Sequence, residues 1–160
     1  MTKFKLSILF CALILPFVGF TDAFAVSAIS PVYTHYIYMF GHAGWLHYII
    51  NAWTLLVMHN LLKWYRLITA YLFAVLESYV MLPEKPMVGL SVVNCFFIGF
   101  AAPWLWKKDR LAVVLTLALL LLTCFVSGFA GLQHVASFLF GFVFCYAEGW
   151  IRDIRKYLKE

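Results

Sequence analysis

A serine and a histidine on separate segments of this chain have the side chains that nucleophilic catalysis requires. Ser91 and His134 are the candidates, because a serine hydroxyl becomes a nucleophile only when a base accepts its proton, as histidine does near neutral pH. His47 and Asn51, four residues apart on one helix face, could donate hydrogen bonds to the oxyanion that forms during attack. Because no carboxylate lies near His134 in the sequence, a catalytic dyad fits better than a triad.

Small residues follow both candidate catalytic residues at helical spacing. The two stripes are Ser91, Cys95, Gly99 and Ala102, and His134, Ser137, Gly141 and Cys145. Small side chains let membrane helices approach closely, so the stripes predict a helix contact that brings Ser91 to His134. Pro86 and Gly89 place Ser91 at the start of its helix, where free N–H groups and the positive end of the helix dipole favour a developing anion.

The composition is that of a membrane protein. The 160 residues are 65% hydrophobic and 12% charged, whereas soluble domains are about half apolar and a quarter charged. The net charge of +5 does not indicate a nucleic-acid partner, because the basic residues are scattered between apolar segments and no glycine-rich phosphate loop is present. We therefore expect one all-α domain over residues 1–160, with the lipid bilayer as its surroundings.

Six apolar segments suggest membrane-spanning helices, which need about 20 residues each. They cover approximately residues 5–25, 44–62, 67–82, 88–106, 111–128 and 131–151. If all six alternate across the membrane, 11 of the 12 Lys and Arg residues lie on one side and only Lys85 lies on the other. The positive-inside rule then places both termini in the cytoplasm. This predicts a six-transmembrane-helix bundle with the candidate site in the outer third of the membrane.

The first apolar segment has an alternative interpretation. Lys3 and Lys5, the apolar run and the Ala23-x-Ala25 pattern are also typical of a secretory signal peptide. The run is long for a signal core, and its removal would leave five segments, so we favour a retained helix.

The sequence gives little support to a metal site. Cys11, Cys95, Cys124 and Cys145 lie in apolar segments without Cys-x-x-Cys spacing and are interpreted as packing residues. A metal-binding or transport protein that uses His42, His47 and His134 stays open as an alternative, although no carboxylate joins these histidines. We expect neither a metal nor another cofactor.

Taken together, these residues resemble those of the rhomboid family of intramembrane serine proteases. The resemblance covers His42-x4-His47-x3-Asn51, then Gly89-Leu-Ser91, then His134 with Ser137 and Gly141. It implies a six-helix rhomboid-like bundle that hydrolyses peptide bonds of transmembrane protein substrates near the outer membrane face. Ser91 would be the nucleophile and His134 the general base and acid. His47 and Asn51 would line the oxyanion hole, with His42 in a supporting role.

Three positions depart from the family pattern. Val92 follows the serine where a small residue is usual, Cys95 stands where an aromatic is common, and Ser137 replaces a glycine. A catalytically inactive rhomboid-like protein that binds membrane clients is therefore the alternative function. In either case we expect an integral membrane protein of the bacterial inner membrane.

Overall fold

A few residues set where each apolar run stops being helical. The computed structural model describes residues 3–19, 21–81, 86–127 and 129–158. Pro16 lies in a 3-10 turn, Leu15–Phe17, that follows the end of the first helix. The Asp109 carboxylate accepts a hydrogen bond from the Ala112 N–H at 3.0 Å and caps the start of the helix that begins at Arg110. The α-helices are α1 Lys3–Ile14, α2 Thr21–Phe24, α3 Thr34–Ile37, α4 Trp45–Val57, α5 Trp64–Val80, α6 Ser91–Lys108, α7 Arg110–Ser127 and α8 Phe129–Tyr157. A second 3-10 turn covers His59–Leu61.

Helix α6 lies at the centre of the fold. Most of its residues from Val92 to Ala102 are buried, which is the pattern of a helix surrounded by others. It packs against α8, α7, α5 and α4. Helix α1 also belongs to this core, since Ile14 is buried there and the Tyr48 hydroxyl of α4 donates to the Cys11 carbonyl at 3.0 Å.

The predicted six-span bundle is wrong. Among the described residues only one helix, Gly131–Ile154, is long and apolar enough to cross a membrane, whereas Ile8–Phe17, Trp45–Val57 and Arg110–Leu122 are shorter apolar helices. The physical reason is that the apolar runs do not stay helical for their whole length. Helix α4, for example, has 13 residues and is about 20 Å long at 1.5 Å per residue, against a hydrocarbon core of about 30 Å.

Because the six-span prediction is wrong, the predicted orientation in the membrane is no longer supported. Placing both termini in the cytoplasm, and the site in the outer third, depended on six alternating crossings. Lys85, the basic residue that the prediction put on the opposite side, lies outside the described residues.

Helices α5 and α8 are joined by an ion pair and by stacked rings. The Arg66 guanidinium donates to both carboxylate oxygens of Glu148, at 2.7 and 2.6 Å, and also to the Leu61 carbonyl at 2.8 Å. The rings of Phe73 and Phe140 are parallel with centroids 3.9 Å apart. These contacts fix α8, which carries His134, against α5.

Candidate active site

The Ser91 and His134 side chains are hydrogen bonded. The distance from His134 Nε2 to Ser91 Oγ is 2.8 Å, within the usual range for such a bond. Both residues are half-buried. A neutral imidazole with its proton on Nδ1 accepts the hydroxyl hydrogen at Nε2, which is the arrangement that general-base activation of a serine needs.

Two glycines bring α6 and α8 into backbone contact. A Cβ added at Gly99 would lie 1.9 Å from the Phe138 carbonyl oxygen, and one added at Gly141 would lie 2.0 Å from the Phe96 carbonyl oxygen. Neither helix could approach so closely with any other residue at these positions. Gly99 and Gly141, one from each stripe, therefore lie at the contact between α6 and α8, the helices that carry Ser91 and His134.

The turn before Ser91 depends on Gly89. Gly89 has φ +118°, a backbone conformation that other residues rarely adopt, and its N–H donates to the Tyr38 carbonyl at 2.9 Å. A Cβ at this position would lie 2.5 Å from Cε1 of His47. The His47 ring therefore rests directly on the backbone two residues before the candidate nucleophile.

His42 packs against His47 from the loop before α4. Their ring centroids are 5.1 Å apart, and Nδ1 of the fully buried His42 lies 3.3 Å from the Phe40 carbonyl oxygen. Burial first, and then the neighbouring His47 ring, lower the pKa of His42 to about 4. His42 is thus an uncharged group that packs behind His47.

Asn51 reaches α6 through Asn94, a residue that the sequence reasoning missed. The Asn51 amide donates to the His47 carbonyl at 2.9 Å and accepts from the Asn94 amide at 2.8 Å. Asn94 also donates to the Asn51 carbonyl at 3.0 Å. The signal available in the sequence was a polar amide three residues after Ser91 in an apolar run.

Two further polar residues hold α8 beside the site. The Ser137 hydroxyl, one turn after His134, donates to the buried Glu77 carboxylate at 2.6 Å, and the buried Gln133 amide donates to the Met81 carbonyl at 2.9 Å. Because buried polar groups need partners, these bonds fix the rotation of α8. The sequence offered only the polar residue types as a signal, since their partners lie 60 and 52 residues away.

The positions that depart from the rhomboid pattern are accommodated. Val92 is completely buried in the core, Cys95 packs in a cluster with Phe138, and Ser137 has the hydrogen bond described above. Cys11, Cys95 and Cys145 are free thiols, and the side chain of Cys124 lies outside the described residues. Among the residues with described positions, no group of three His, Cys, Asp or Glu side chains could hold a metal ion.

A second serine–histidine pair lies elsewhere in the fold. Nδ1 of His35 is 2.9 Å from the Ser78 hydroxyl oxygen. That hydroxyl donates its hydrogen to the Val75 carbonyl at 2.6 Å, so His35 is the donor in this pair. Ser78 is also fully buried, so the pair is structural.

Comparison with protein-family models gives no match, and comparison with curated proteins gives no significant one. The function is therefore inferred from the geometry of the site.

Proposed function

We propose that this protein is a membrane-bound serine endopeptidase of rhomboid type that cleaves transmembrane protein segments near a membrane face. The observation that carries the proposal is the 2.8 Å hydrogen bond between the Ser91 hydroxyl and the His134 imidazole. In the proposed reaction Ser91 Oγ attacks the peptide carbonyl while His134 takes its proton. His134 then returns a proton to the leaving amine, and water hydrolyses the acyl-enzyme by the same base catalysis.

The oxyanion is stabilised from two directions in this proposal. Ser91 is the first residue of α6, so free backbone N–H groups and the positive helix end face the reacting carbonyl. The His47 ring on Gly89 supplies a side-chain donor, and a single good donor contributes about 3–4 kcal/mol to transition-state stabilisation. Asn51 and His42 act behind His47, through the contacts described above.

Surface composition supports a membrane location. Large apolar side chains are exposed on many helices, among them Leu46 at 72%, Trp53 at 68% and Val80 at 71%. Apolar side chains exposed on this scale are typical of a surface that contacts lipid or another protein. With the apolar helix Gly131–Ile154, this surface fits a protein embedded in a lipid bilayer, which we propose to be the bacterial inner membrane.

The test is labelling of the purified full-length protein with a fluorophosphonate, a probe that reacts with activated serines. Wild type is expected to be labelled and to cleave a transmembrane reporter, and Ser91→Ala and His134→Ala are each expected to abolish both. Ser78→Ala is the matched control, since it removes a second hydroxyl that is bonded to a histidine and should leave labelling unchanged. Cleavage that persists without Ser91 or His134 would reject the dyad.

One observation favours a non-catalytic protein that binds membrane clients as a second candidate. The Asn51 amide, which the sequence predicted to line the oxyanion hole, already donates to the His47 carbonyl at 2.9 Å. Client proteins that co-purify with an unlabelled wild type, and equally with Ser91→Ala, would establish this function.

A further inference from the structure

A second site lies at the far end of α8, where it meets the start of α5. Glu148 lines it, fourteen residues after His134 and therefore about 21 Å away along the helix. The cavity has a volume of about 530 Å³, large enough for a small polar headgroup. It is separate from the Ser91–His134 pair.

The cavity carries an excess of positive charge. Glu148 is the one carboxylate among its lining residues, and both oxygens of that carboxylate are already bonded to Arg66. The Arg66 guanidinium is buried and lies 4.1 Å from the centre of the Phe100 ring, so this pair is fixed. Lys63 and Arg152, which also line the cavity, are therefore not neutralised in full.

Lys63 is placed to bind an added anion. Its ammonium group lies 3.7 Å from a Glu148 oxygen and 3.3 Å from the Tyr65 hydroxyl, and its side chain is 42% exposed. An exposed pair at this distance is weak, because solvent screens the charges. A charge-assisted hydrogen bond from Lys63 to a phosphate would be stronger.

The rest of the lining is apolar and aromatic. Phe144 and Ile151 form one side and Tyr65 another, while Trp64 and Trp150 are exposed nearby in sequence. Tyrosine and tryptophan concentrate where membrane meets water. The cavity also lies beside the C-terminal part of Gly131–Ile154, the helix able to cross a membrane.

We propose that this cavity binds the phosphate headgroup of an anionic phospholipid. Lys63 and Arg152 contact the phosphate, and Phe144 and Ile151 face the first carbons of an acyl chain. Basic pockets between membrane helices bind lipid headgroups on the same principle. The inference relies on the membrane location in the proposed function and is independent of the proposed catalysis.

The experiment measures the unfolding midpoint of the full-length protein in neutral detergent. Phosphatidylglycerol, phosphatidylcholine and inorganic phosphate are titrated separately. A ligand that binds the folded state raises the midpoint by mass action. We expect phosphatidylglycerol to raise the midpoint and the other two to leave it unchanged. In the double variant Lys63→Gln/Arg152→Gln, the half-maximal phosphatidylglycerol concentration should increase at least tenfold.

The matched control removes two cations elsewhere. Lys108 and Arg110 lie at the junction of α6 and α7, near Trp104 and Trp106, so Lys108→Gln/Arg110→Gln loses the same charge and should bind phosphatidylglycerol as wild type does. An equal response to phosphatidylcholine, or wild-type binding by the Lys63/Arg152 variant, would overturn the site. If inorganic phosphate raised the midpoint and phosphatidylglycerol did not, the cavity would be a site for a soluble anion, and the proposal of a lipid ligand would be rejected. Fluorophosphonate labelling of the same samples reports on catalysis separately, so the two proposals fail independently.

Discussion

Gly141 offers a measurable link between helix packing and catalysis. In Gly141→Ala the new Cβ would lie 2.0 Å from the Phe96 carbonyl oxygen and 3.1 Å from the Phe100 nitrogen. Ordinary contact begins at 3.4 Å, so the two backbones must separate by about 1.4 Å, the difference between 3.4 and 2.0 Å. Both obstructing atoms are backbone atoms, so no change of rotamer relieves the clash.

The displacement should reach the reactive pair. Gly141 is seven residues, about two helical turns, after His134 on the same helix. If α8 moves as a rigid body, the 2.8 Å hydrogen bond between Ser91 and His134 lengthens to at most about 4.2 Å, the value for a displacement along the bond, at which the bond is lost. A misplacement of about 1 Å lowers a rate roughly 100-fold. Overpacking of this kind also lowers the free energy of unfolding by about 1–3 kcal/mol.

The assay is the second-order rate of fluorophosphonate labelling, measured below the unfolding midpoint of each variant so that only folded protein is compared. Gly149→Ala is the control, because Gly149 lies on the same helix and a Cβ added there would meet no neighbouring atom within 4 Å. Its labelling rate should equal that of wild type, and its midpoint should not fall, since alanine favours a helix by about 1 kcal/mol. If folded Gly141→Ala is labelled within twofold of the wild-type rate, close backbone contact does not position the dyad.

Three further outcomes follow from the contacts described above. In Gly89→Ala the alanine must adopt a φ of +118° and place its Cβ 2.5 Å from the His47 ring. The substitution should therefore lower the free energy of unfolding by about 1–3 kcal/mol and slow labelling at least tenfold. Arg66→Met removes the two hydrogen bonds from Arg66 to the Glu148 carboxylate and leaves the Lys63 ammonium, 3.7 Å away, as a weaker partner. It should lower the free energy of unfolding by about 1.5–3 kcal/mol in denaturant, with much of the loss restored by adding Glu148→Leu. The pKa of His42 is lowered from 6.5 to about 4, so the unfolded chain binds more protons between these values and stability falls as pH drops through that window. Between pH 7.5 and pH 5 this effect lowers the free energy of unfolding by about 2 kcal/mol. His42→Leu should therefore make the free energy of unfolding depend less on pH in this range, and an unchanged slope would contradict the assigned role of His42.

Local spacing in the sequence was enough to anticipate the contact between α6 and α8. Gly99 and Gly141 were identified from small residues at helical spacing, and the structure places each against a carbonyl of the other helix. The same spacing predicted that Ser91 and His134 would lie close together, and in the structure their side chains are hydrogen bonded. Such stripes work as predictors because backbone contact leaves space for few residue types.

The number of membrane spans was not predictable from the lengths of the apolar runs. A hydropathy count treats residues 44–62 as one span, but α4 ends at Val57 and a 3-10 turn follows at His59–Leu61. Residues 5–25 are likewise divided by the turn that contains Pro16. Composition determines which residues avoid water, whereas helix length depends on where the backbone turns.

The polar partners that lie far apart in the chain could not be predicted from the sequence either. Glu148 has a cation one turn away in Arg152, yet its two oxygens bind Arg66, 82 residues earlier in the chain. Asn51 and Asn94 are 43 residues apart. Each pairing depends on how the helices are arranged, which periodicity within one helix does not specify.

Two serine–histidine pairs in this protein differ in length by only 0.1 Å, 2.8 Å for Ser91 and 2.9 Å for Ser78. A template search that scores interatomic distance alone would return both as candidate hydrolase centres. The destination of the hydroxyl proton tells them apart, because an oxygen whose hydrogen already points to a backbone carbonyl gains no nucleophilicity from a neighbouring ring. Screens for unrecognised hydrolases should therefore rank serines by where that proton points and by solvent access before they rank them by separation.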